Sequence, residues 1–172
     1  MKKLIVPICI LLFSTSALAQ TRSRTTKRGK QSSKTSSQQA SLEAKTVGAT
    51  KVADQIKNLT RFLYLLGGVA KGIEDLDASA RTNQGSPTAL QQNEQNKAKL
   101  RSTFQDFRVG LDQLEIFFRS TPELEQYYLK LAGSAAGAAT AEDQAAAGHF
   151  DQAGRTMLSV VNRLTDVLLA MR

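Results

Sequence analysis

Residues 131–148 read LAGSAAGAATAEDQAAAG. Three readings compete for this stretch: a flexible linker, a helix pressed against its neighbours, or the small-residue wall of a ligand pocket. Half of it is alanine, the strongest helix former, whereas flexible linkers rely on serine, proline and repeated glycine. The apolar register of the segment before it also runs into it. Leu124, Tyr128, Leu131, Ala135 and Ala138 follow a 4-3-4-3 spacing while side-chain size falls. That period is the signature of an amphipathic helix. The spacing therefore predicts a third helix through the alanines. Gly133, Gly137 and Ala138 then mark either a close approach of another backbone or a pocket wall.

The pattern extends outward in both directions. Gly148 suits a helix C-terminus, and Phe150, Ala153, Met157, Val160, Leu164, Val167 and Met171 repeat 3-4-3-4-3-4 behind it, a fourth helix. Upstream, STPELEQ at 120–126 supplies Thr121 as an N-cap, Pro122 in the first turn, and Glu123 and Glu125 at the positive helix end. So short a connection predicts antiparallel neighbours. A second helix from Pro87 to Arg119 carries Leu100, Phe104, Phe107, Leu111, Leu114 and Phe118. Asn93 and Lys97 fall in the same register, so its first turns are expected to face water or pass beyond the core. TNQGSPT at 82–88 separates it from a first helix that starts near Ser41. There Val52, Ile56, Leu59, Leu63, Leu66, Ala70 and Ile73 form one stripe, with Phe62, Leu65, Val69 and Leu76 beside it. Gly67-Gly68 interrupts this helix and predicts a kink or a close contact. The fold expected is all-α: an antiparallel four-helix bundle over residues 41–172.

The beginning of the chain is of another kind. MKKLIVPICILLFSTSALAQ places Lys2 and Lys3 before ten apolar residues, Leu4 to Phe13, followed by Ala17-Leu18-Ala19. A bilayer-spanning helix needs about 20 apolar residues, so residues 1–19 read as a secretory signal peptide cleaved before Gln20. The mature chain would then have no membrane span. Cys9 would leave with the signal, and with it any disulfide, thiolate nucleophile or thiolate metal site. Residues 20–40 contain six basic residues (Arg22, Arg24, Lys27, Arg28, Lys30 and Lys34), no acid and no large apolar side chain. Such a segment is expected to be disordered. From Ser41 to Arg172 there are fifteen basic and fifteen acidic residues, so the tail carries the whole positive excess of the mature chain. Export argues against nucleic acid as its partner. The tail then reads either as a solvated spacer between signal and domain or as an arm for the polyanions it would meet: lipid headgroups, lipopolysaccharide phosphates and acidic wall polymers.

Little in the domain suggests catalysis. His149, the one histidine, lies at an expected turn near Asp151, with no base-and-partner arrangement around it. Glu74, Asp75 and Asp77 lack the spacing of a calcium loop. No Glu-x-x-His pair for a di-iron bundle occurs, and no cofactor or metal is expected. The function expected is that of an exported, non-enzymatic helical bundle of the bacterial cell envelope, periplasmic or extracellular, in an interaction or scaffolding role with possible self-association. The alternative is a small-ligand-binding or sensory bundle with its pocket beside the alanine-rich third helix.

Overall fold

A computed structural model describes residues 32–82 and 85–172, with the backbone alone for 32–36. The expected signal peptide and most of the basic tail lie outside these residues. The described chain is helical throughout, with no strand. It forms α1 (Ser32–Arg81), α2 (Pro87–Ser120), α3 (Glu125–Leu131), α4 (Ser134–Ala146) and α5 (Phe150–Ala170), with one 3-10 turn at Pro122–Leu124.

The boundaries follow from local chemistry. Ser86 is extended (φ −70, ψ 145) and its side chain accepts a hydrogen bond from the Ala89 N–H, while Pro87 takes the first position of α2. Thr121 is forced out of the helical region before Pro122 and ends α2. Its hydroxyl donates back to the Phe117 carbonyl at 2.8 Å rather than capping the next turn. Gly148 closes α4 with φ +86. The Gly148 N–H reaches the Ala145 carbonyl and the His149 N–H reaches the Gln144 carbonyl, the paired bonds of a Schellman end.

Cross-helix contacts give the arrangement. Gln55 lies beside Gly110, Phe62 packs on Phe104 and Phe107, and Asp77 meets Lys97, so α1 and α2 run in opposite directions. Glu115 meets Ala135 and Arg108 meets Glu142 across α2 and α4. Gly137 faces Val160, and Gln144 accepts from Thr156, across α4 and α5. Gly154 faces Leu66 and Gly48 faces Met171 across α5 and α1. Each of α1, α2, α4 and α5 thus touches two of the others. The space between them is filled by fully buried Leu59, Phe104, Leu111, Phe118, Leu131, Met157 and Leu164.

Several expectations need correction. Among the described residues there are five helices, not four. The expected third helix is divided at Ala132 (φ −53, ψ 132) and Gly133 (φ +91), into α3 and α4. Helix α1 begins at Ser32 instead of near Ser41, so residues 32–40 are helical. No proline or glycine stands between 32 and 47, and extending a formed helix costs far less than starting one. Residues 37–43 are all exposed, so this end of α1 stands clear of the packed body. Gly67-Gly68 neither interrupts α1 nor touches another helix. In the stripe beside it Phe62 and Leu76 are half-buried, whereas Leu65 and Val69 are exposed. Asn93 does not face water: it is 1% exposed. No helix of the described residues is long and apolar enough to cross a membrane.

Candidate functional site

The alanine-rich helix is the first place to look. Ala138, Ala141 and Ala145 are fully buried, together with Ser134. A Cβ on Gly137 would stand 2.8 Å from Val160 Cγ2, inside the closest approach of real carbon contacts. Gly133 holds its left-handed turn under the Arg163 side chain, whose guanidinium donates to the Ala132 carbonyl. The N-terminus of α4 lacks a capping side chain of its own. Glu115 on α2 supplies one, accepting the Ala135 N–H at 2.9 Å. The missing volume of Gly137 and Ala138 is therefore taken up by neighbouring helices, and none of the described grooves is lined by Gly133, Gly137 or Ala138.

An apolar depression does exist, on the other side of α5. Between α1 and α5 lies a groove of about 480 Å³ lined by Leu63, Leu66, Ala70, Phe150 and Leu158. Gly67 and Gly154, which have no side chains to fill it, are part of the same wall. Gly154 also lets α5 approach α1: its added Cβ would lie 3.1 Å from Leu66 Cδ2. Lys71, Glu74, Asp151 and Arg155 stand around the groove. Arg155 pairs with Asp151 at 2.7 Å and Lys71 with Asp75 at 3.5 Å, all four well exposed. Such a groove accepts an apolar body with water at its rim. It offers no buried, convergent polar groups to orient a reaction. The sequence hint was a pair of small residues, Gly67 and Gly154, within two apolar stripes. Nothing in the spacing said that the two would face the same gap.

The polar residues do structural work. Asp77 Oδ1 accepts from Asn93 Nδ2 and from Lys97 Nζ, each at 2.7 Å, and Lys97 also donates to Glu94 at 2.8 Å. These bonds, Asp77 first, raise the Lys97 pKa above its ordinary value. Asp77 already holds an ammonium and Asp75 holds Lys71, so Glu74, Asp75 and Asp77 do not converge on one point. Asn93 Oδ1 is buried without a partner. His149 is exposed at the α4–α5 turn, where its backbone, not its ring, makes the bond described above. Of the tail residues, Arg22, Arg24, Lys27, Arg28 and Lys30 lie outside the described residues. Lys34 lies in the first turn of α1, its side chain outside them. No protein-family model matches this chain, and neither does any curated protein or solved structure.

Proposed function

We propose that this chain is an exported, non-enzymatic protein of the bacterial cell envelope, released by cleavage before Gln20, that acts by interaction or scaffolding. We read its architecture as an antiparallel four-helix bundle in which α3 and α4 share the third position. The observation that carries the proposal is the length of α1. It spans 50 residues, about 75 Å at 1.5 Å per residue, while its contact with the end of α5 is at Gly48. Its first turns extend beyond the packed body and lead back into the basic segment. A body of balanced charge thus carries a concentrated positive arm on a helical stalk, a geometry suited to holding an anionic envelope surface. The test is co-sedimentation of the mature chain, Gln20–Arg172, with vesicles containing phosphatidylglycerol or with phosphatidylcholine alone. Binding is expected only to the anionic vesicles and should fall as salt rises. It should be lost when Arg22, Arg24, Lys27, Arg28, Lys30 and Lys34 are all changed to Gln. Salt-independent binding, or binding that survives these changes, refutes the arm as the contact.

The second reading, a small-ligand-binding bundle, is supported by the α1–α5 groove and moves from the alanine-rich helix to that site. Native mass spectrometry of protein from its own host tests it. A bound mass that disappears in Gly67→Leu supports this reading, and a clean apo mass counts against it.

A further inference from the structure

The outward face of α1 leaves large apolar side chains in water. Tyr64 is 85% exposed, Leu65 58% and Val69 39%. Around them Gly67, Gly68 and Gly72 are open: a Cβ on any of the three would meet nothing within 4 Å. Asn58, Arg61, Leu65, Gly68, Gly72 and Asp75 follow a 3-4-3-4-3 spacing and are all exposed. They form a straight seam opposite the core stripe of Val52, Leu59, Leu66 and Ile73. The seam carries one charge of each sign, placed evenly about its middle: Arg61 lies seven residues before Gly68 and Asp75 seven after it, both exposed. Arg61 makes no ion pair within the described chain, and Asp75 holds only the exposed Lys71 at 3.5 Å.

We propose that this face binds the same face of a second copy of this chain, the two α1 helices antiparallel and crossing at Gly68. The occupant follows from the charge pattern. With Gly68 on the two-fold axis, a residue i meets 136 − i, so Arg61 stands opposite Asp75 of the other copy and Tyr64 opposite Gly72. A parallel pair would put Arg61 on Arg61 and Asp75 on Asp75. The face is thus complementary to itself in one orientation only, as a closed two-fold interface requires. The bare backbone at Gly68 and Gly72 lets the helices approach until the Tyr64 rings lie across them, which covers the apolar residues. Charge sets the orientation, and apolar contact with close approach supplies the attraction. One helix pair buries less than a standard interface of about 1,600 Å², so a dimer in the micromolar range is expected. This inference depends neither on export nor on the basic arm.

The experiment is sedimentation equilibrium of the mature chain, which lacks cysteine, over a wide concentration range. A reversible monomer–dimer equilibrium is expected. Gly68→Leu should abolish the dimer, while circular dichroism shows the fold intact because the new side chain enters open space. Arg61→Glu and Asp75→Arg should each weaken association by about tenfold or more, since each sets like charges face to face, and the double variant should restore most of it. Oxidation of Gly68→Cys should join two chains, whereas Val109→Cys on the outer face of α2 should not. A monomer at every concentration overturns the proposal. So does a dimer indifferent to Gly68→Leu, or a double charge swap no better than the singles.

Discussion

Gly67 and Gly137 both lie inside helices, yet the same substitution at the two should act with opposite sign. Replacing a helical glycine with alanine gains about 0.8–1 kcal/mol through backbone entropy and propensity. At Gly67 a Cβ meets nothing within 4 Å, so Gly67→Ala should realise that gain and raise Tm by about 3–4 °C for a domain of this size. At Gly137 the same gain opposes a contact of 2.8 Å with Val160 Cγ2. Val160 is 4% exposed, and a β-branched residue on a helix has one strongly preferred rotamer, so it cannot swing away. The backbones of α4 and α5 must separate, at about 1–3 kcal/mol for overpacking. Gly137→Ala should therefore lose about 0–2 kcal/mol, and the two variants should differ by about 1–3 kcal/mol, the overpacking alone, because the propensity gain is common to both. Urea denaturation followed by circular dichroism measures this, with an unchanged slope as the check that only stability has moved. If Gly137→Ala is as stable as Gly67→Ala, α4 is not pressed on α5. If Gly67→Ala destabilises, α1 is not an uninterrupted helix there.

Ala138→Leu should cost about 1–3 kcal/mol or more, because Ala138 is fully buried; a silent change in urea denaturation would mean that the site has room. Glu115→Ala removes the only side chain that caps α4 and should cost about 1 kcal/mol, with faster amide exchange at Ala135 and Ala136 as the specific sign. Lys97 titrates above its ordinary value of about 10.4 because the folded chain favours its charged form, so its contribution is complete below that pH and lost as pH rises through the raised folded value. Stability measured from pH 9 to 12 should fall less steeply in Lys97→Met than in the parent. Asn93→Leu removes a buried oxygen that has no partner and should be neutral or stabilising by thermal melting, although it also breaks the bond to Asp77.

The parts of the fold legible in the sequence were those set by local chemistry. Ser86-Pro87 fixed the start of α2, Gly148 and Phe150 fixed the α4–α5 turn, and the 4-3 registers named the buried large residues of α1, α2 and most of those of α5, but in α4 they named Ala138 and missed Ser134, Ala141 and Ala145. The break at Ala132–Gly133 was hidden because burial continues across it: Leu131, Ser134, Ala138, Ala141 and Ala145 keep the same period through the turn. A left-handed glycine changes direction without disturbing that pattern. Leu65 and Val69 were misassigned for a different reason. An apolar stripe shows that one side of a helix is wide, but not how much of that width its neighbours cover. Asn93 and Lys97 looked like solvent positions because their partner, Asp77, comes from another helix. Of the sites considered, Gly133 lies under Arg163, Gly137 against Val160, and Ala138 is buried, while the basic residues of the tail lie outside the described side chains. The α1–α5 groove is bordered by two glycines 87 positions apart, and composition carries no trace of that.

The alanines of α4 also decide how this helix is held. Alanine has no rotamers to lose, so burying Ala138, Ala141 and Ala145 sacrifices no side-chain freedom, but each methyl group also brings little transfer energy. Helix α4 therefore draws less on buried bulk than α2 or α5 do. Much of its attachment lies in polar links along its edges: Glu115 at its first turn, Arg108 to Glu142, Thr156 to Gln144, and Arg163 at the bend before it. A helix fastened in this way stands between α2 and α5 and holds to both, by its buried methyl groups and by these links. Removing those polar links one by one should therefore loosen α4 before the helices that bury large side chains, and amide exchange along 134–146 reads that order.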